Sequence, residues 1–219
     1  MGKTNETWGP RKRPVQRRSQ ETVGYILEAA AQLFGELGYG RTTTNRVAEK
    51  AGVSIGSVYQ YFPNKEALLL ALAESHLAEA REKATAALRG LREQGVSEKE
   101  YFRGFVGFVV GFHRGGEPLH DLFFEEAPSS GRLVELLSAV HAGCAAEIEA
   151  YLRGRGLNGG DLALKSMVLA RMAGDLTHSF VTDTPAGHAL VAYQEEIVTA
   201  CLAYVRASWG GNGAGGEPG

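Results

Sequence analysis

The sequence predicts an all-α protein of about nine helices, and two observations support this fold class. Apolar residues recur at intervals of three and four through most of the chain, as in the stripe formed by Ile26, Ala30, Leu33 and Leu37. This spacing is typical of helices that bury one face. The periodic segments are separated by short stretches rich in glycine or proline, which end helices.

Composition fits a globular protein of one or two domains. The chain has 219 residues, of which 44% are hydrophobic and 22% charged. It has no apolar run of membrane-spanning length and no apolar core of a secretory signal near its start, so we expect a cytoplasmic location. Cys144 and Cys201 lie in apolar helical patterns, which favours reduced packing residues over a disulfide.

Four regions follow from the order of these patterns. We expect residues 1–18 to form a flexible basic arm, 19–66 a three-helix domain, 67–208 a larger helical domain and 209–219 a disordered glycine-rich tail. In the larger domain the long helix 65–91 is followed by helices at 98–113, 119–127, 132–153, 161–181 and 186–208.

The first domain contains two short helices joined by a tight turn. A helix over 20–37 ends at Gly38, and hydroxyls of Thr43 and Thr44 can cap the helix that follows. Gly52 lies where that helix ends, and Ser54 can cap a second helix over 55–62. Pro63 then stops this second helix, and Asn64 can cap the long helix that follows.

This arrangement is that of a helix-turn-helix, whose second helix enters the major groove of DNA. Val58 and Phe62 can pack into a small core with Val47 and Val53, while the outward residues from Ser54 to Tyr61 include no carboxylate. A recognition helix needs such a face, because it approaches phosphates and base edges. An ordinary helical hairpin with a glycine turn is the alternative.

Residues 26–72, ILEAAAQLFGELGYGRTTTNRVAEKAGVSIGSVYQYFPNKEALLLAL, resemble the DNA-binding domain of TetR-family transcriptional repressors. The most specific phrase is VAEKAGVSIGSVYQYFPNKEALL, which joins the recognition helix to Tyr-x-Tyr-Phe and Asn-Lys-Glu-x-Leu in fixed register. The resemblance implies a ligand-responsive regulator, most often a repressor, that binds a palindromic operator as a homodimer. It also implies that the long helix links a ligand-sensing body to the DNA-binding head.

Two groups of residues are predicted to contact DNA. One set holds the phosphates, at positions that match the backbone contacts of the family, and the other set faces the base edges. The candidate DNA-contacting residues are Thr43, Thr44, Asn45, Ser54, Ile55, Gly56, Ser57, Tyr59, Gln60, Tyr61 and Lys65. Thr44, Tyr59, Tyr61 and Lys65 are assigned to phosphates. Gln60 suits adenine and Ile55 suits a thymine methyl group.

Charge is distributed unevenly along the chain. The residues up to Lys65 include ten basic and five acidic side chains, whereas the remainder includes thirteen basic and twenty acidic ones. A basic first third on an acidic body is consistent with nucleic-acid binding. The basic cluster within the arm either contacts the phosphates or minor groove or is a solvated tail: Arg11, Lys12, Arg13, Arg17 and Arg18.

The larger domain offers a dimer surface and a ligand site. The last two helices have long apolar faces, which are either intramolecular core or, as the resemblance implies, a four-helix interface with a second copy. The aromatic helix 98–113 is either core or the wall of an inducer cavity for a small apolar or aromatic molecule. The candidate ligand residues are Phe105, Phe108, Phe112, Phe123, Arg171 and His178.

Other classes of function find less support. The sequence contains no nucleophile elbow, phosphate-binding loop or dinucleotide fingerprint, and its six histidines show no metal-ligand spacing. We therefore expect no enzyme activity, no metal and no cofactor. The remaining alternative is a helical protein-interaction module without sequence-specific DNA binding, against which the acid-free helix argues.

Overall fold

A computed structural model describes residues 17–114, 119, 122–123, 130–158, 160–183 and 190–209. These residues form eight helices and no strand, in agreement with the predicted all-α class. The helices are α1 (Arg17–Arg41), α2 (Thr44–Lys50), α3 (Ile55–Tyr61), α4 (Lys65–Glu93), α5 (Glu98–Arg114), α6 (Gly131–Gly154), α7 (Leu162–Asp183) and α8 (Leu190–Trp209).

The predicted short helix at 119–127 lies largely outside the described residues, although positions 119, 122 and 123 are helical. The predicted arm before residue 17 and the tail after Trp209 also lie outside them. Among the helices that the structure describes, none is long and apolar enough to cross a membrane.

The chain divides into two compact units, one made of Met1–Ala78 with Glu117–Leu137 and the other of Glu79–Gly116 with Ser138–Gly219. The predicted domain limits at residues 66 and 208 stay predictions, because compact packing does not by itself define a functional domain. The first unit is called the head below and the second the body. The continuous helix α4 begins in the head and ends in the body.

Buried side chains from α1 to the start of α4 hold the head together. Ile26, Phe34 and Val47 are almost fully buried, as are Val58 in the middle of α3 and Phe62 just after its last residue. Burial of each such side chain stabilises the fold by about 1.5–3 kcal/mol. The predicted inward positions of Val58 and Phe62 are thereby confirmed.

The connection between α1 and α2 depends on one glycine and one buried threonine. Gly38 adopts φ 73° and ψ 170°, so the regular part of α1 ends where the sequence predicts. The buried hydroxyl of Thr42 donates to the carbonyl oxygens of Leu33, at 3.1 Å, and Gly38, at 2.9 Å. Thr42 therefore fixes the entry to α2 from inside the head.

The body has a core of aliphatic and aromatic side chains from its five helical segments. Tyr101 of α5 stacks on Tyr151 of α6 with ring centroids 3.8 Å apart, and the Tyr151 hydroxyl donates to the Val96 carbonyl at 2.9 Å. Cys144 and Cys201 are buried and unbridged, as predicted. Burial raises the pKa of each thiol to about 12, which makes both thiols unreactive at neutral pH.

Candidate nucleic-acid interface

Side-chain caps hold the two short helices of the head. The Thr43 hydroxyl accepts from the Arg46 amide at 3.3 Å at the start of α2, and the Ser54 hydroxyl accepts from the Ser57 amide at 3.0 Å at the start of α3. Gly52 has φ 66° in the turn between them. Each helix has only seven residues, so these caps contribute a large share of its local stability.

The outward face of α3 is exposed and free of carboxylates. Ile55 and Tyr59 are 38% and 43% exposed although both carry large apolar groups, and Ser54, Gly56 and Gln60 are also exposed. Ile55 and Tyr59 are four residues apart, so both lie on the same side of the helix. The face presents hydroxyl, amide and methyl groups, which are the groups that read base edges in the major groove.

Tyr61 does not lie on this face. Only 7% of its surface is exposed, and Val58 and Phe62 are buried as well. The expected outward position was wrong because Tyr61 follows Val58 by three residues, and residues three apart share one side of a helix. That spacing was visible in the sequence and outweighs the polar character of the hydroxyl.

Two other predicted phosphate-contacting residues touch each other across the helix pair. The hydroxyls of Thr44 in α2 and Tyr59 in α3 are 3.2 Å apart, and either one can donate. The contact orients the Tyr59 ring on the exposed side of α3. Asn45 and Thr43 are exposed close by at the start of α2.

Lys65 has partners within the head. Its ammonium group donates to the Tyr39 carbonyl at 2.8 Å and lies 4.1 Å from the centroid of the Tyr39 ring. The side chain therefore ties the start of α4 to the end of α1. The phosphate contact of Lys65 remains a prediction, and the side chain has this structural role as well.

The sequence prediction omitted two exposed arginines beside the start of α2. Arg46 donates to the Arg41 carbonyl at 3.0 Å, and Arg41 donates to the Leu37 carbonyl at 3.0 Å. These carbonyl contacts hold each guanidinium without cancelling its charge. The signal that could have found them is their place next to Thr43 and Thr44 in the basic part of the chain.

The candidate ligand residues are divided between the two units. In the body, Phe105 is buried, and the rings of Phe108 and Phe112 stack at 6.2 Å. His178 is joined to this helix through His113, whose Nε2 lies 2.7 Å from the His178 Nδ1. Arg171 is exposed, 3.6 Å from Asp175.

Phe123 belongs to the head, where it is fully buried with its ring centroid 5.4 Å from that of His76. The structure thus brings Phe108, Phe112 and His178 into one neighbourhood and does not assign Phe123 to the same unit. Within the residues described, no group of three or more His, Cys, Asp or Glu side chains is arranged to hold a metal ion.

A capped helix-turn-helix with an exposed acid-free second helix, followed by a helical body, defines the class of helix-turn-helix transcriptional regulators. Two family models match the chain: "Bacterial regulatory proteins, tetR family" over residues 26–72 and "Tetracyclin repressor-like, C-terminal domain" over residues 99–204. The chain belongs to the TetR family of transcriptional regulators.

Relatives with known names or structures agree with this assignment. The HTH-type transcriptional regulator TtgR of Pseudomonas putida is 42% identical over 76 residues, which are 32% of this chain and 36% of TtgR. The match thus spans about a third of that relative's length.

Two solved structures share the fold along most of the chain. Thermus thermophilus FadR, a TetR-family repressor in complex with lauroyl-CoA, has a TM-score of 0.58 at 25% identity and covers 90% of this chain and 100% of its own. Salmonella enterica GusR has a TM-score of 0.63 at 22% identity and covers 88% and 98%.

Proposed function

We propose that this protein is a ligand-responsive, sequence-specific DNA-binding regulator that represses transcription as a homodimer. The observation that carries the proposal is the outward face of α3, which is exposed, acid-free and anchored by the Ser54 cap. A promoter that overlaps the operator would be blocked while the dimer is bound. A cytoplasmic location follows from this role.

The operator contacts are divided by chemistry. Ser54, Ile55, Gly56, Ser57 and Gln60 face base edges, with the Gln60 amide on adenine and the Ile55 side chain on a thymine methyl group. Phosphates are held by Thr44, Tyr59 and Lys65, and by Tyr61 through its hydroxyl although little of the residue is exposed. Thr43 and Asn45 are further DNA contacts at the start of α2. The exposed guanidinium groups of Arg41 and Arg46 add to the positive field beside them.

The proposed regulator is a homodimer that forms through α7 and α8 and places two heads on the operator. Leu164 and Leu176 of α7 are 60% and 41% exposed in the single chain, and Val191 of α8 is 69% exposed. Covering such side chains with a second copy would remove apolar surface from water. Two heads about one helical turn apart would then read the two halves of a palindrome.

The inducer is a small apolar or aromatic molecule bound in the body. Phe105, Phe108 and Phe112 supply apolar surface, and His178 and Arg171 supply polar groups. Phe123, which lies in the head, stays a predicted ligand residue. The complex of Thermus thermophilus FadR with lauroyl-CoA makes acyl-CoA a second ligand class to test. Binding would shift α4 and alter the distance between the two heads, which favours a dimer that no longer fits the operator.

The experiment that tests this proposal starts with selection of bound duplexes from a random pool. Enrichment of one inverted repeat would support a dimeric sequence-specific regulator. Fluorescence anisotropy across a salt series then measures affinity for that repeat, and addition of lauroyl-CoA or a panel of small aromatic compounds measures release. Binding without an enriched motif would instead favour the interaction-module alternative.

A further inference from the structure

Two histidines join α5 to α7 within the body. The Nε2 atom of His113 lies 2.7 Å from the Nδ1 atom of His178, and the two ring centroids are 4.8 Å apart. Both residues are half-buried. The other ring nitrogen of His113, Nδ1, lies 2.7 Å from the carbonyl oxygen of Val109, one turn earlier in α5. Both nitrogens of His113 therefore lie at hydrogen-bond distance from a partner.

These contacts determine where the protons of the histidine pair lie. A carbonyl oxygen only accepts, so the Nδ1 atom of His113 carries a hydrogen. In a neutral His113 the Nε2 atom then has no hydrogen, and His178 supplies the hydrogen between the rings from its own Nδ1.

The number of added protons decides whether this contact can persist. One added proton preserves it, because a charged imidazole and a neutral one still share a single hydrogen between them. A second added proton places a hydrogen on each of the two facing nitrogens and two positive charges on the touching rings. Two donors cannot form a hydrogen bond with each other, so the doubly charged pair must separate.

Charged groups on α6 and α7 lie around the pair. The Oδ1 atom of Asp175 lies 2.8 Å from Nε2 of His141, and its Oδ2 atom lies 3.6 Å from Nη1 of Arg171. Burial disfavours the charge on Asp175, but the contact with His141 and the charges of Arg171 and His178 outweigh it and lower the pKa of Asp175. This carboxylate is thus shared among three cationic partners when the histidines are charged.

The helix α8 also packs against α5 and α7. Its Tyr193 ring stacks on Phe180 of α7 with centroids 3.7 Å apart. Its Glu195 accepts two hydrogen bonds from Arg103 of α5, each of 2.7 Å. Both oxygens of Glu195 are therefore held by Arg103 rather than by the histidine pair.

We propose that His113 and His178 form an acid-sensitive latch between α5 and α7, closed with at most one added proton and open with two. The open latch binds one more proton than the closed latch once free histidines are charged, below about pH 6.5. The ratio of open to closed molecules then rises about tenfold for each pH unit of acidification. The latch goes beyond the proposed regulatory function and does not depend on it.

Nitrogen NMR of the histidine side chains tests the latch in the full, unaltered chain. At pH 8 we expect His113 to carry its hydrogen on Nδ1, and we expect magnetisation transfer between the ring hydrogens of His113 and His178. During titration to pH 4 this transfer should disappear as the pair takes its second proton. Two charged rings that stay in contact would overturn the proposal, as would a pair that separates only when the whole chain unfolds.

A double-mutant cycle gives a second test. His113→Phe and His178→Phe, made singly and together, should show a favourable coupling in thermal denaturation at pH 8, because each variant removes the same contact. We expect this coupling to vanish at pH 5, where the latch is open. A coupling that is equal at the two pH values, or absent at pH 8, would contradict the latch.

The contact between His141 and Asp175 provides the matched control. Here a histidine faces a carboxylate, so protonation of His141 strengthens the contact instead of breaking it. The cycle of His141→Phe and Asp175→Asn should therefore keep its coupling at pH 5. None of these measurements involves DNA or an inducer, so their failure is distinguishable from failure of the proposed regulatory function.

Discussion

Ser54 lies where α3 begins, and its hydroxyl caps the helix while the residue itself is exposed on the outward face. Ser54→Ala removes the cap, so we expect a loss of about 1 kcal/mol in the free energy of unfolding. Ser54→Asp keeps a capping oxygen but adds a carboxylate to a face that has none. We expect near-normal melting and a large loss of DNA affinity for Ser54→Asp, measured by thermal denaturation and anisotropy. Full affinity of Ser54→Asp would remove this end of α3 from the DNA contact surface.

Gln60 is exposed on the same face and has the side chain best suited to read adenine. Gln60→Ala should relax the preference at one base pair of each half-site, where a good amide–adenine pair contributes about 1–3 kcal/mol of discrimination. Selection of bound duplexes with the variant measures this change directly. Gln94→Ala, which truncates an exposed glutamine in the turn after α4, is the matched control and should leave the preference intact. An unaltered preference with Gln60→Ala would exclude Gln60 from base readout.

Lys65 combines an interaction inside the head with its predicted phosphate contact. Lys65→Ala should lower affinity for all duplexes alike and reduce the slope of log affinity against log salt by about 0.9. It should also lower the melting temperature, because the contacts with the Tyr39 carbonyl and ring are lost. Lys50→Ala removes an equal charge from a side chain paired with Glu36 and serves as the control. A lower melting temperature with an unchanged salt slope would leave Lys65 with a structural role only.

At the scale of the helices, much of the fold could be predicted because local residues define where helices begin and end. Gly52 has a positive φ in the turn before α3, and the Ser54 hydroxyl caps α3. The Asn64 carboxamide oxygen caps α4 by accepting from the Ala67 amide at 2.8 Å. Such signals involve neighbours in sequence, so the chain alone contains them.

Contacts between helices were harder to predict. The carbonyl that accepts from Lys65 lies 26 residues away in α1, and Glu147 of α6 pairs with Arg89 and Arg92 of α4. Nothing in a periodic pattern indicates which polar side chains meet after the helices pack. The division of the candidate ligand residues between head and body has the same origin, since Phe123 and Phe105 look alike in sequence.

Helices α6 and α7 are joined by a polar contact whose strength depends on pH. Burial disfavours the charge on Asp175, but His141, whose Nε2 lies 2.8 Å from Oδ1, together with the charge of Arg171, outweighs it and lowers the pKa of Asp175. A lowered folded-state pKa adds stability above about pH 4, and this stability is lost as the pH falls through the folded-state value. Asp175→Asn should therefore reduce the melting temperature at pH 7 and have less effect at pH 3. An equal effect at both pH values would contradict the ionic contribution.

At the scale of the whole molecule, the proposed regulator requires two copies, because one head covers only half of a palindrome. Val191 of α8 is 69% exposed in the single chain, although valine prefers burial. We expect Val191→Asp to shift the protein from dimer to monomer in light scattering after size exclusion, because a carboxylate would lose its hydration inside an apolar interface. Operator affinity should fall with it, while affinity for a single half-site should change little.

Val134→Asp supplies the control for this dimer prediction. Val134 lies on α6 and is 49% exposed, so the same carboxylate enters a comparably exposed position outside the two helices proposed for the interface. It should remain a dimer with normal operator affinity. If both variants stay dimeric, α8 near Val191 is not the interface; if both become monomers, the interface includes α6. A monomeric Val191→Asp that still binds the full operator with normal affinity would show that palindrome recognition does not require this dimer.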